Sequence, residues 1–177
     1  MSFPGFSSPA AGPEAPLDML AACHTRVEKQ CLTLLRLQPH LAGHGSDAAA
    51  REAAGAVMRY FDTAAKHHHE DEEQDLFPAL LEAMAGSDAV CIRDLTRDLV
   101  AEHRQLEARW FRLRETLEAI ADGETVPLSI EEVTDFVDSY RGHILKEDTE
   151  LLPMAARLLG EAQLQRIGQA MRARRGF

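Results

Sequence analysis

Apolar residues recur along this chain in steps of three and four, the period of one helix face, and four stretches do so. Leu17, Leu20, Val27, Cys31 and Leu34, with His24 among them, predict a helix from Leu17 to Leu37, stopped before Pro39. Gly43 and Gly45 break the chain, and Ser46 or Asp47 can cap the next helix. That second helix is rich in alanine and should reach Ala85, with Gly86 as its stop. Its stripe is Val57, Phe61, Ala64, His68, Glu72 and Leu76. Ser87 or Asp88 should start a third helix, with the stripe Leu95, Leu99, His103, Leu106, Trp110, Leu113, Leu117 and Ile120. Asp122-Gly123 and Pro127 end it. A fourth opens on Ser129 and Glu132, the spacing of a capping box, with Leu128 and Val133 placed for a hydrophobic staple. Its stripe is Val133, Phe136, Tyr140, His143, Glu147, Leu151 and Met154, and Gly160 closes it. Residues 161–175 suggest a short fifth helix on the outside.

No stretch alternates with period two, so no sheet is expected. The predicted fold is all-α: an antiparallel four-helix bundle with a short extra C-terminal helix. Residues 1–16, with four prolines and two glycines, are expected to be a disordered N-terminal tail. Residues 17–160 form the bundle, and 161–177 the C-terminal helix and tail.

Six polar residues fall on stripes that otherwise face the core: His24, His68, Glu72, His103, His143 and Glu147. They follow an internal repeat. His68 to Pro78 and His143 to Pro153 both read His, three residues, two acids, two residues, two apolar residues, Pro. A lone histidine precedes each copy, by 44 residues for His24 and His68 and by 40 for His103 and His143. Pro78 and Pro153 lie inside helical patterns at equivalent places, where each should bend or end its helix, and this suggests a shared local geometry.

A buried carboxylate is costly without a positive partner. Two glutamates aimed into one core beside four imidazoles therefore call for cations. Spacing of i, i+4 puts each His and Glu on one helix face, one turn apart. Imidazole suits Fe, Zn, Cu and Ni, and carboxylates add a preference for harder ions. The mixed set best fits a pair of iron or manganese ions in a bundle core. Two divalent ions bring four positive charges against two glutamates, and hydroxide, oxide or nearby acids can balance the rest. Glu73 and Asp148, at equivalent repeat positions, are candidates for outer partners.

Within His67-His68-His69, alignment of Pro78 on Pro153 selects His68. His69 stays open as a further ligand or outer group. Glu28 and Glu107 also follow a histidine by four, but lack the paired acids and the proline, and read as flanking or surface acids. His40 and His44 belong to a helix end and a glycine-rich loop, and read as surface residues.

The net charge of −10 argues against nucleic acid or an anionic membrane as the main partner. Arg166, Arg172, Arg174 and Arg175 make only a small basic patch. No apolar run approaches the ~20 residues of a membrane span. The first residues lack a basic region followed by an apolar one, so no signal peptide is expected. Cys23, Cys31 and Cys91 do not make a disulfide framework, and a reducing cytoplasm is the expected location. Cys23 and Cys31, eight apart, read as buried structural thiols.

The motif set over residues 17–160 resembles the hemerythrin-like, HHE cation-binding family. That resemblance implies a four-helix bundle around a non-haem di-iron site. His24, His68 with Glu72, His103, and His143 with Glu147 match the family's pattern helix by helix. By resemblance the two glutamates bridge two irons and two histidines cap each ion. Oxygen-carrying members use five histidines, two of them on the third helix, whereas Glu107 stands four after His103 here. The four-histidine, two-glutamate set is more similar to iron-centre repair proteins and to oxygen or iron sensors of the family. Those repair proteins usually carry an N-terminal domain with a cysteine pair that this sequence lacks, so the likeness to them concerns the site.

Three functions are compatible with this set. The first is a metal-binding module with two irons per chain, Zn or Mn being alternatives, that binds or senses oxygen, nitric oxide or iron itself. The second is a di-iron redox enzyme acting on peroxide or nitric oxide, or an iron donor for cluster repair. The third is an interaction module whose metal is structural. A monomer or homodimer is expected, with a small diatomic molecule as partner.

Overall fold

A computed structural model of the chain describes residues 15–84 and 89–177. Most of the expected tail, the stop at Gly86 and the start at Ser87 or Asp88 lie outside these residues. No strand occurs among those described, as expected. None of their helices is long and apolar enough to cross a membrane.

Helix α1 runs Pro16–His44. Helix α2 is a continuous run of five segments: Ala48–Arg59, a π-turn at Tyr60–Ala64, Ala65–Asp71, a second π-turn at Glu72–Leu76, and Phe77–Ala83. Helix α3 is Ala89–Ala121. Helix α4 joins Ile130–Lys146, a π-turn at Glu147–Leu151, and Leu152–Leu158. Helix α5 is Glu161–Arg174. Each of α1 to α4 packs on the next, and α4 closes the ring against α1. Ser46, between α1 and α2, donates to the Glu124 carbonyl between α3 and α4 at 2.5 Å, so these connections share one end of the bundle.

The helix ends show which sequence signals act. Asp47 caps α2 by accepting the Ala50 amide at 2.8 Å. Ser129 caps α4 by accepting the Glu132 amide at 3.2 Å. The Ser129 hydroxyl lies 2.9 Å from the Glu131 carboxylate, so the expected box with Glu132 is replaced by a bond to its neighbour. Leu128 and Val133 are both buried in one cluster, as a staple requires.

Helix α1 does not stop before Pro39. A proline removes one amide donor and crowds the preceding turn, but other contacts carry the helix past it. Leu41 packs against the core, and His40 bonds Asp47 at 3.0 Å. Gly45, at φ 63°, then ends the helix, a conformation that glycine adopts without a Cβ penalty. Gly43 remains helical.

The π-turns also shift the stripes. An extra residue in the turn changes the helix phase. Burial falls on Ala65 rather than Ala64, and on Ala155 rather than Met154. The last two π-turns begin at the repeat glutamates, Glu72 and Glu147. Each closes with an i+5 bond, from the Phe77 amide to the Glu72 carbonyl and from Leu152 to Glu147. Pro78 and Pro153 follow immediately, where a widened turn relieves the ring's crowding of the preceding carbonyls. The repeat in sequence is thus a repeat of backbone distortion.

The apolar core divides into two clusters. One holds Val27, Phe61, Leu106, Trp110, Phe136 and Tyr140, near the end with the two connections. The other holds Leu20, Leu76, Leu99, Leu151, Ile167 and Met171. The last two come from α5, so that outer helix caps this end of the bundle. Along each of the four long helices, the stripe histidines and glutamates lie between residues of the two clusters.

Candidate metal centre

The bundle brings all six stripe residues together, each 3% exposed or less. His24, His68, Glu72 and Glu147 form one group whose potential ligand atoms lie within 4.8 Å of one another. Glu72, His103, His143 and Glu147 form a second. The glutamates belong to both groups.

Their oxygens divide between the two halves. Glu147 Oε2 lies 3.1 Å from His24 Nε2 and 3.9 Å from His68 Nε2. Its Oε1 lies 2.9 Å from His143 Nε2 and 3.7 Å from His103 Nε2. Glu72 Oε1 lies 3.7 Å from His68 Nε2, and its Oε2 3.3 Å from His103 Nε2. Within each half the two Nε2 atoms also converge, at 3.2 Å for His24 and His68 and 3.1 Å for His103 and His143.

All four glutamate oxygens are buried without a hydrogen bond of acceptable geometry. Buried acceptors are normally satisfied, and an unpaired charged one is costly. Imidazole nitrogens and carboxylate oxygens that converge in this way fit a pair of shared cations.

The other ring nitrogens explain why Nε2 faces inward. His24 Nδ1 lies 2.7 Å from Asp148, His103 Nδ1 2.8 Å from Glu73, and His143 Nδ1 2.9 Å from Glu102. A carboxylate holds the proton on Nδ1, which leaves the Nε2 lone pair for an ion. Glu73 and Asp148 thus occupy the outer positions expected of them. Glu102 was missed by the sequence reading: it partners a histidine on another helix, and its neighbour His103 gives no sign of that. His68 differs, because its Nδ1 is buried without a partner.

His69, left open in sequence, is 5% exposed and groups with His103 and His143 within the same 4.8 Å limit. Its ring stacks on His103 with centroids 3.9 Å apart. Burial, then the nearby His103, push its pKa well down, so the imidazole is neutral. Its Nε2 is buried and unpaired. Glu28, His40 and His44 stay outside the centre, and Glu107 pairs with Arg104 at 2.8 Å.

Without an ion the centre holds its own charges in tension. Burial pushes Glu147 up, but the close approach of His103, His143, His24 and His68 outweighs it and holds the carboxyl well below the usual range. Glu72 is pushed up by burial and by Glu147. Burial lowers His103, but Glu147 and Glu72 raise it further, to about 10.

A model of the hemerythrin HHE cation binding domain matches residues 15–155. A Haemophilus influenzae protein, described as uncharacterized, is 31% identical over 160 residues, covering 90% of each chain. The matched region takes in α1 to α3, all but the last residues of α4, and all six inward-facing ligand candidates. The chain belongs to the hemerythrin HHE cation-binding domain family.

Proposed function

We propose that the chain holds a non-haem di-iron centre and that this centre reversibly binds a small ligand such as oxygen or nitric oxide. The carrying observation is the division of the Glu72 and Glu147 oxygens between two histidine pairs, all four unsatisfied. His24 and His68 would hold one ion, His103 and His143 the other, with the glutamates shared. Mixed imidazole and carboxylate donors in a helix bundle favour iron or manganese over softer ions. Iron bound there would supply redox-active Lewis-acid centres.

The chain's own residues prepare that chemistry. Asp148, Glu73 and Glu102 keep protons on the outer nitrogens of three histidines. The two apolar clusters exclude water above and below the ligand layer. Six shared protein ligands leave coordination positions for an exogenous molecule.

Elemental analysis of anaerobically purified protein, with absorption spectra before and after air, tests this reading. About two irons per chain, with new near-ultraviolet bands on oxidation, is the expected result. Zinc or no metal, with an unchanged spectrum, would overturn it.

A further inference from the structure

A pocket of about 420 Å³ opens between α2 and α3 and reaches inward to His69 and Tyr140. A diatomic ligand is about the size of water, whose share of liquid volume is about 30 Å³. The pocket is more than tenfold larger and falls in the range of organic-ligand sites. Four aromatic side chains line it: Phe61, Trp110, Phe111 and Tyr140. Phe111 is 64% exposed, which leaves an apolar edge at the surface. At the inner end, His69 carries the buried, unpaired Nε2 and stacks on His103.

The polar residues give the opening a sign. Asp62 accepts the Trp110 indole N–H at 2.9 Å and pairs with Arg114 at 3.0 Å. Glu107 pairs with Arg104 at 2.8 Å. Lys66 makes no ion pair among the described residues. Both lining acids are therefore matched, and an unmatched cation stands at the opening of a chain whose net charge is −10. An aromatic body with one negative group satisfies the walls and Lys66 together.

The geometry points to a binding site for a monocyclic aromatic carboxylate, its ring against Trp110 and Phe111 and its acid group toward Lys66, beside the His69 side of the metal centre. Only the last clause rests on the metal-centre reading. The rest stands on the pocket.

Trp110 is the sole tryptophan, so its fluorescence reports this site alone. Benzoate and benzyl alcohol would be titrated into the full chain, as purified and after chelation, with metal content measured separately. Saturable change with benzoate in both forms, and weaker binding of the neutral alcohol, is expected. Lys66→Gln should weaken benzoate about threefold, and Phe111→Ala about fivefold. Both residues are exposed, so neither change threatens the fold. No saturable change would overturn the proposal. Equal binding of the alcohol, with no effect of Lys66→Gln, would overturn it as a carboxylate site. A chain that binds benzoate but carries no metal keeps the pocket and sinks the centre; metal without benzoate binding does the opposite.

Discussion

Arg174 reaches back from α5 to donate to Asp71, a carboxylate with no exposed surface that immediately precedes Glu72. Arg175 donates to the other Asp71 oxygen at 2.5 Å, and Arg174 also holds Asp75 at 2.7 Å. These two arginines, part of the small basic patch, fasten the π-turn that carries a candidate ligand. Replacing both with methionine leaves a buried charge unpaired, at a cost of about 3–5 kcal/mol. Chemical denaturation should show that loss, and Asp71→Asn added to the pair should recover part of it.

Glu147→Gln tests the shared carboxylate. An amide keeps the shape but loses the charge that two cations need. Metal content should fall well below that of the unaltered chain while the far-ultraviolet helix signal stays. Full metal load would remove Glu147 from the bridging role.

His68 and His69 separate the two halves of the centre. His68→Ala should cost the ion held with His24. His69→Ala should keep both ions and weaken the His103 side by about tenfold. Equilibrium metal titration distinguishes them, and the reverse order would reassign the motif histidine to position 69.

The outer carboxylates can be tested without touching a ligand. Asp148→Asn or Glu102→Gln should lower metal affinity by about 10–100-fold. An unchanged affinity in both variants would mean that tautomer control at His24 and His143 contributes nothing to binding.

In the metal-free protein, the folded-state pKa of His103 lies at about 10, above its ordinary 6.5. Protonation therefore favours the folded chain. This contribution is complete below pH 6.5 and is lost as pH rises through about 10. Denaturant midpoints of metal-free protein should fall across that window. Metal-loaded protein should fall less, because ion binding already requires neutral imidazole.

The six inward polar residues were legible because a helix stripe has a fixed period, and charge on it stands out. Proline alignment even selected His68 over its neighbours. Residue-level burial was less legible: Ala65 and Ala155 replace Ala64 and Met154 because π-turns alter the phase, and although Pro78 and Pro153 mark two of these places, no proline marks the turn at Tyr60–Ala64. Pro39 misled because tertiary contacts of Leu41 and His40 outweigh one missing amide bond. Glu102 and the Arg174–Asp71 contact join residues 41 and 103 positions apart, distances at which only the folded topology can make them partners.

The ligand layer lies between the two apolar clusters, and this bears on how the molecule comes apart. Ions held as proposed would tie all four long helices at mid-height and act as a rivet between two greasy halves. Occupancy should then be written into amide hydrogen exchange far from the ligands, at Leu117 and Leu80 alike. Protection lost unequally at the two ends after chelation would mean that cargo, more than hydrophobic contact, makes this bundle a single cooperative body.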